Sequence, residues 1–214
     1  MRTALMLADF TDERVVRDAR QLRTAYGLKR TLRYATGRDH TLHSESVAEH
    51  VFALLYLAHY FLPLEDPEGF LDVAKVHRLL LFHDFAEMVH GDVPYHLKTE
   101  EHEERERRAA TLVFAALPPS LAELGHGAWY EYEMRRTPEA RFVYALDKVE
   151  PIFELMDPVA ELSMKRLKFS YDAHIGKKFR ATEYFPIMRR FVEVLTADML
   201  ARGIFWVAEE HDAA

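Results

Sequence analysis

Apolar residues recur at spacings of three and four along most of this chain, and strand-like alternation of apolar and polar residues is scarce. That spacing lays an apolar stripe along one side of an α-helix. It restricts the chain to helices packed stripe against stripe and predicts an all-α fold. With 214 residues, such a chain can bury roughly 70% of its unfolded surface without a disulfide or metal to hold it. No period repeats, and glycine and proline are scattered rather than gathered into a linker. The expectation is one helical globule over residues 1–214, with no internal domain boundary.

Cap and stop residues divide the pattern into elements. A first helix is expected over 11–27, with Thr11 at its start and Gly27 at its end. Residues 29–43 are polar and irregular, and Gly37-Arg38-Asp39 signals a turn. Ser44 is expected to cap a second helix that runs to about Leu62, with Val47, Val51, Leu54, Leu55 and Ala58 as its core stripe. A third helix is expected from Phe70 to His90, where Gly91 ends it. Residues 99–117 form a charged helix, its exposed face laced by Glu101/Arg105, Glu103/Arg107 and Glu104/Arg108. Further helices are expected at 119–135, 138–156, 158–168 and 184–202.

Composition removes several classes of function. The chain has no cysteine, which excludes disulfide scaffolds, thiolate nucleophiles, Cys-based zinc sites and iron–sulfur clusters, and fits a cytoplasmic protein. Its 28 Lys and Arg stand against 35 Asp and Glu, a net charge of −7. A protein that grips a nucleic acid polymer by its phosphates is basic, so that partner is not expected. The apolar stretch at residues 1–8 is too short for a signal-peptide core and Asp9 ends it. The run from Val51 to Leu64 spans about 20 Å as a helix, short of a bilayer core of about 30 Å, and is expected to be a buried helix rather than a membrane span. Histidine is abundant, at 12 residues, and it is the commonest metal ligand.

Four ionisable residues interrupt apolar stripes. His83 continues the face of Val76 and Leu80, with Glu87 one turn further, and Asp84 is about 100° round from His83. His50 lies between Val47 and Leu54 on the stripe of the second helix. Asp147 follows Val143 by four residues on a core-like segment, and Pro151, four residues later, cannot donate to its carbonyl and tends to kink a helix. Any one of these, alone, reads as a hydrogen-bonded core histidine or a structural ion-pair partner. Unpaired carboxylates are costly on an apolar face, and three such oddities on three helices raise the odds of a shared cation. Two imidazoles and two carboxylates suit Mn, Fe, Co, Ni or Zn and leave positions for water or substrate. Such a metal can acidify water and polarise a phosphoryl oxygen.

The order His50, His83-Asp84, Asp147 resembles the HD-domain metal-dependent phosphohydrolases. The words around it are more specific. Ser46-Val47-Ala48-Glu49-His50, the run from His83-Asp84-Phe85-Ala86-Glu87 to Gly91-Asp92-Val93-Pro94, and Ala140 to Lys148 resemble the 5′-deoxynucleotidase branch, and Leu28 to Arg33 is similar to its substrate-arginine region. The similarity covers roughly residues 15 to 160.

The resemblance implies an HD-type helical domain with core motifs over about 28–157 and C-terminal helices over 158–202. It implies that His50, His83, Asp84 and Asp147 ligate one divalent transition metal. It gives Glu87 the handling of the attacking water or a proton, with Asp84 able to assist. Arg33 would bind phosphate, for which a guanidinium supplies two parallel hydrogen bonds, and Asp92 would contact the sugar. Tyr34 stands where the branch carries a tryptophan against the sugar, and the loop from there to His50 is about two residues longer. Both departures fall where ribose and deoxyribose are told apart.

The implied activity is removal of the 5′-phosphate from a (deoxy)nucleoside monophosphate by a homodimer, with helix 184–202 as a candidate interface. Two other readings keep the site: a hydrolase of another nucleotide phosphoester, and a nucleotide-binding sensor without turnover. His90, His96, His102 and His126 lie where two-metal members carry extra ligands, but outside any apolar stripe, and are read as surface or loop residues. Trp129, Tyr130 and Tyr132 are read as packing.

Overall fold

The computed structural model describes residues 7–23, 46–90, 99–117, 119–156, 164 and 169–207. All regular structure among them is helical, as the apolar spacing predicts. They divide into two compact units, one from residues up to Pro67 together with Ala145 onward, the other Glu68–Tyr144.

The first unit holds α1 (Asp12–Arg23), α2 (Val47–Glu65), α8 (Tyr171–Ala181), α9 (Pro186–Ala201) and the second half of α7 (Pro138–Glu154). Its central element is α9, which packs on α1, α2 and α8. The reason is its apolar content: Ile187, Met188, Phe191, Val192, Leu195 and Met199 are all buried. Phe61 of α2 and Phe153 of α7 meet Phe191, with the Phe61 and Phe191 centroids 5.0 Å apart edge to face. Tyr60 donates a 2.8 Å hydrogen bond to Asp18 of α1. That bond and the surrounding arginines Arg17 and Arg14 hold the Asp18 carboxyl below its ordinary range against the opposing effect of burial.

Helix α2 differs from its expected form at both ends. Its cap is Ser46, not Ser44, and it continues through Pro63 to Glu65. Its 19 residues therefore exceed the apolar run, and by length and composition alone it is long and apolar enough to cross a membrane. Its Ala53, Leu54, Leu57, Ala58 and Phe61 are buried within the protein.

The second unit holds α3 (Val73–Phe82), α4 (Glu87–His90), α5 (Glu100–Ala115), α6 (Pro119–Met134) and the first half of α7. Helix α6 packs on α3 and α5, and α4 packs on α5. Close approach depends on Gly125: a Cβ there would lie 2.6 Å from the Phe114 ring of α5 and 3.0 Å from that of Phe82. Lys75 joins Glu131 of α6 and Glu139 of α7 at 2.6 and 3.1 Å. On the charged face of α5, Arg105 pairs with Glu101, while Arg107 and Arg108 both pair with Glu104; the expected Glu103–Arg107 pair is replaced by an i,i+3 contact.

Three further differences from the sequence expectations stand out. The third helix does not run unbroken from 70 to 90 but breaks into α3, a turn over 83–86, and α4. Helix α8 covers a segment outside the expected helices, and α9 starts at Pro186 rather than 184. The helix expected over 158–168 lies outside the described residues, Met164 excepted.

Candidate metal centre

In the first unit the site begins with a helix cap. Ser46 and Glu49 form a reciprocal capping box: the Ser46 N–H donates to Glu49 Oε2 at 2.8 Å, and the Glu49 N–H donates to Ser46 Oγ at 3.3 Å. Two of the helix's unpaired N–H groups are satisfied this way. The next residue is His50, so Ser46 and Glu49 of the sequence word fix where α2 starts and hence where His50 stands. Its ring meets two acids of α7. Nε2 is 3.3 Å from Asp147 Oδ1, and Nδ1 is 3.0 Å from Glu150 Oε2. Asp147 and Glu150 are buried, the latter without any exposure. Lys148 reaches back to Asp147 Oδ2 at 2.6 Å.

From α8, the wholly buried Lys178 donates to the backbone carbonyl of Lys148. Burial pushes its ammonium down to about 7, and the charge of Lys148 pushes the same way, against the pull of Asp147 and Glu150. Helix α7 continues through Pro151 to Glu154. The proline leaves the Asp147 carbonyl without its i+4 donor, as expected of a helix-interior proline.

In the second unit, His83 ends α3. Its Nδ1 lies 2.9 Å from the Leu80 carbonyl, to which it can donate. That side-chain bond competes with the backbone for a carbonyl the helix would use. The following N–H groups turn to partners three residues back instead: Phe85 to Phe82, Glu87 to Asp84 and Val89 to Ala86. This is why the stripe of Val76, Leu80 and His83 ends in a turn rather than a continuing α-helix. The His83 ring is buried and stands edge-on to Tyr132, centroids 5.0 Å apart. Its Nε2 is 3.2 Å from Asp84 Oδ2. Glu87 is half-buried at the first position of α4.

Both units thus present the same arrangement. An acceptor beside Nδ1 selects the neutral tautomer protonated there, which leaves Nε2 with its lone pair. An aspartate oxygen lies 3.2–3.3 Å from that Nε2. Two electron-pair donors so close need a proton or a cation between them, and imidazole nitrogen with carboxylate oxygen is a donor set for a divalent transition metal. The residues present fit such an ion.

Among the remaining sequence candidates, Arg33, Tyr34 and Asp92 lie outside the described residues. Trp129 and Tyr132 are buried, while Tyr130 is exposed and is not a packing residue. His126 is exposed, its ring beside those of Phe114 and Trp129, and His102 is near Thr99. His96 and the side chain of His90 are outside the described residues. Sequence reasoning missed Glu150 and Lys178. The signal for Glu150 was available, since it follows Asp147 by three residues on the same helix face.

Comparison with known proteins gives this arrangement its relatives. The HD-domain family matches residues 25–184. The chain belongs to the HD-domain family. It is 31% identical to the human 5′-deoxynucleotidase HDDC2 over 160 residues, 73% of this chain and 76% of that protein. It is 29% identical over 119 residues to the 5′-deoxynucleotidase hdd1 of Schizosaccharomyces pombe, 53% of this chain and 58% of that one. A crystal structure from Magnetospirillum magnetotacticum, described as a predicted metal-dependent phosphohydrolase, superposes with a TM-score of 0.65 at 27% identity, covering 89% of this chain and 98% of that one. HD-domain membership agrees with the His and His-Asp order read from the sequence and with the all-helical architecture.

Proposed function

We propose that this HD-domain protein is a metal-dependent phosphohydrolase, a phosphoric monoester hydrolase acting on nucleotides, that removes the 5′-phosphate from (deoxy)nucleoside monophosphates. The observation that carries the reading is the twinned His–Asp arrangement, each imidazole turned by an Nδ1 acceptor so that Nε2 faces a carboxylate oxygen. The 5′-deoxynucleotidase names of the relatives support the substrate class.

His50, His83, Asp84 and Asp147 are the residues that would hold one divalent transition metal, Co, Mn, Zn, Fe or Ni. When bound, such an ion supplies Lewis-acid polarisation of a phosphoryl oxygen and lowers the pKa of water. The remaining work falls to the chain. Glu87, three residues after Asp84, takes or returns a proton at its carboxylate, with Asp84 as its nearest helper in sequence. Arg33 neutralises phosphate charge through its guanidinium. Tyr34 and Asp92 contact the sugar. A cytoplasmic homodimer is the assembly this reading carries, and light scattering of the purified protein tests the dimer.

The test is phosphate release from a panel of 5′-mononucleotides, deoxy and ribo, by chelated protein reloaded with Co²⁺, Mn²⁺ or Zn²⁺. Metal-dependent turnover restricted to deoxynucleotides is the expected result. Turnover of both sugars keeps the hydrolase and discards the sugar preference. Tight nucleotide binding without turnover, by protein that retains metal, replaces the enzyme with a sensor.

A further inference from the structure

Glu150 is a carboxylate with no solvent exposure on α7, between the fully buried Val149 and Ile152. Burying such a group is expensive unless it is paired. Its partner is Nδ1 of His50 at 3.0 Å. Asp147, three residues earlier on the same face of α7, meets the other nitrogen of the same ring. A second buried charge stands behind them. Lys178 of α8 donates to the carbonyl of Lys148, within the turn of α7 that carries both acids. His83 reaches the same ring orientation with a neutral acceptor, the Leu80 carbonyl. His50 has an acid instead, and a carboxylate behind an imidazole both fixes its tautomer and makes its other nitrogen a stronger donor.

We propose that Glu150 is a positioning residue, holding His50 as the Nδ1-protonated tautomer with Nε2 presented beside Asp147, while Lys178 anchors the turn of α7 that carries the two carboxylates. The proposal rests on the reading of His50 and Asp147 as metal ligands. It assigns a function to two buried charges that the ligand set itself does not use.

The experiment uses the full chain with Glu150→Leu and Glu150→Gln, and His50→Ala as reference. Two readouts are taken: the ring ¹⁵N shifts of His50 in metal-free protein at alkaline pH, where the imidazole is neutral and a single tautomer can be read, and Co²⁺ affinity by competition with a chromophoric chelator. In the parent chain His50 carries its proton on Nδ1. In Glu150→Leu it shifts toward the Nε2 tautomer, and Co²⁺ binding weakens about 10–100-fold with an unchanged far-UV spectrum. In Glu150→Gln an acceptor oxygen remains but its charge is lost, so the tautomer stays and affinity falls by less than in Glu150→Leu. Should Glu150→Leu fail to fold, parental Co²⁺ affinity in Glu150→Gln overturns the proposal. Parental affinity and tautomer in a folded Glu150→Leu, with weakened binding in His50→Ala, overturn the role of Glu150 alone. Unchanged binding in His50→Ala removes the ligand assignment, and the positioning role with it.

Discussion

Asp84 and Glu87 sit three residues apart, yet substitution should separate them. Asp84 is one of the two electron-pair donors of its half-site. Asp84→Asn should therefore remove metal and activity together, read by metal content and phosphate release on the same sample. A metal-loaded, fully active Asp84→Asn protein would remove it from the ligand set. Glu87→Ala should keep the metal and lower kcat by about 10²-fold or more, the usual contribution of a positioned acid or base. An unchanged kcat would exclude Glu87 from the chemistry. At this scale the sequence was informative because ionisable residues on apolar stripes are rare and costly, and the structure does bury His83 and Asp147. Glu150 and Lys178 were harder to see. The i,i+3 spacing puts Glu150 on the face of Asp147, but the partners of both residues lie 100 and 30 residues away in the chain, and no local pattern identifies them.

Elements depend on small local choices. Ser46→Ala removes the reciprocal cap of α2 and should cost about 1 kcal/mol by denaturant unfolding, with the additional effect of loosening the turn that carries His50. Gly125→Ala places a methyl 2.6 Å from the Phe114 ring. Helix propensity favours alanine by about 1 kcal/mol, but forcing extra volume into a packed contact costs about 1–3 kcal/mol. The net expectation is a lower unfolding midpoint, and a stabilised variant would show that the two phenylalanines give way easily. The break at His83 was not legible in the periodicity, because the apolar stripe continues through it. A side chain that takes the Leu80 carbonyl ends the α-helical bonding there. Helix α8 lacks a clear signal for a different reason: Tyr171–Ala181 interleaves apolar and polar residues in equal number, and it is capped by Ser170, whose side chain accepts from the Ala173 N–H.

At the scale of the whole molecule, two buried groups set opposing pH dependences. Glu65 at the end of α2 caps α9 from a distance, accepting the Met188 N–H at 2.6 Å where Phe185 offers no side-chain cap. Burial raises its carboxyl to about 7 even so. Its contribution is complete below the unfolded value of 4.5 and is lost as pH rises through about 7, by at most about 3 kcal/mol. His174, packed between Phe169 and Phe205, is driven by burial and then by the charge of Lys178 down to about 2. It stays neutral while the unfolded chain protonates. Its contribution is present above 6.5 and is lost as pH falls below that value, by about 1.4 kcal/mol per unit. Between 4.5 and 6.5 the two slopes oppose. Urea unfolding across this window should show Glu65→Gln growing more acid-labile than the parent and His174→Gln less so; parallel profiles would show that neither group is linked to folding.

The sequence by itself determined the helical class, the approximate helix positions and the His, His-Asp and Asp order, because periodicity and the cost of misplaced charge are local properties. Tertiary structure alone decided that Glu65 caps a helix more than 120 residues away and that His50 is held between Asp147 and Glu150. Hydrogen bonds between distant segments satisfy groups whose need is visible in the sequence but whose partners are chosen only when the helices pack.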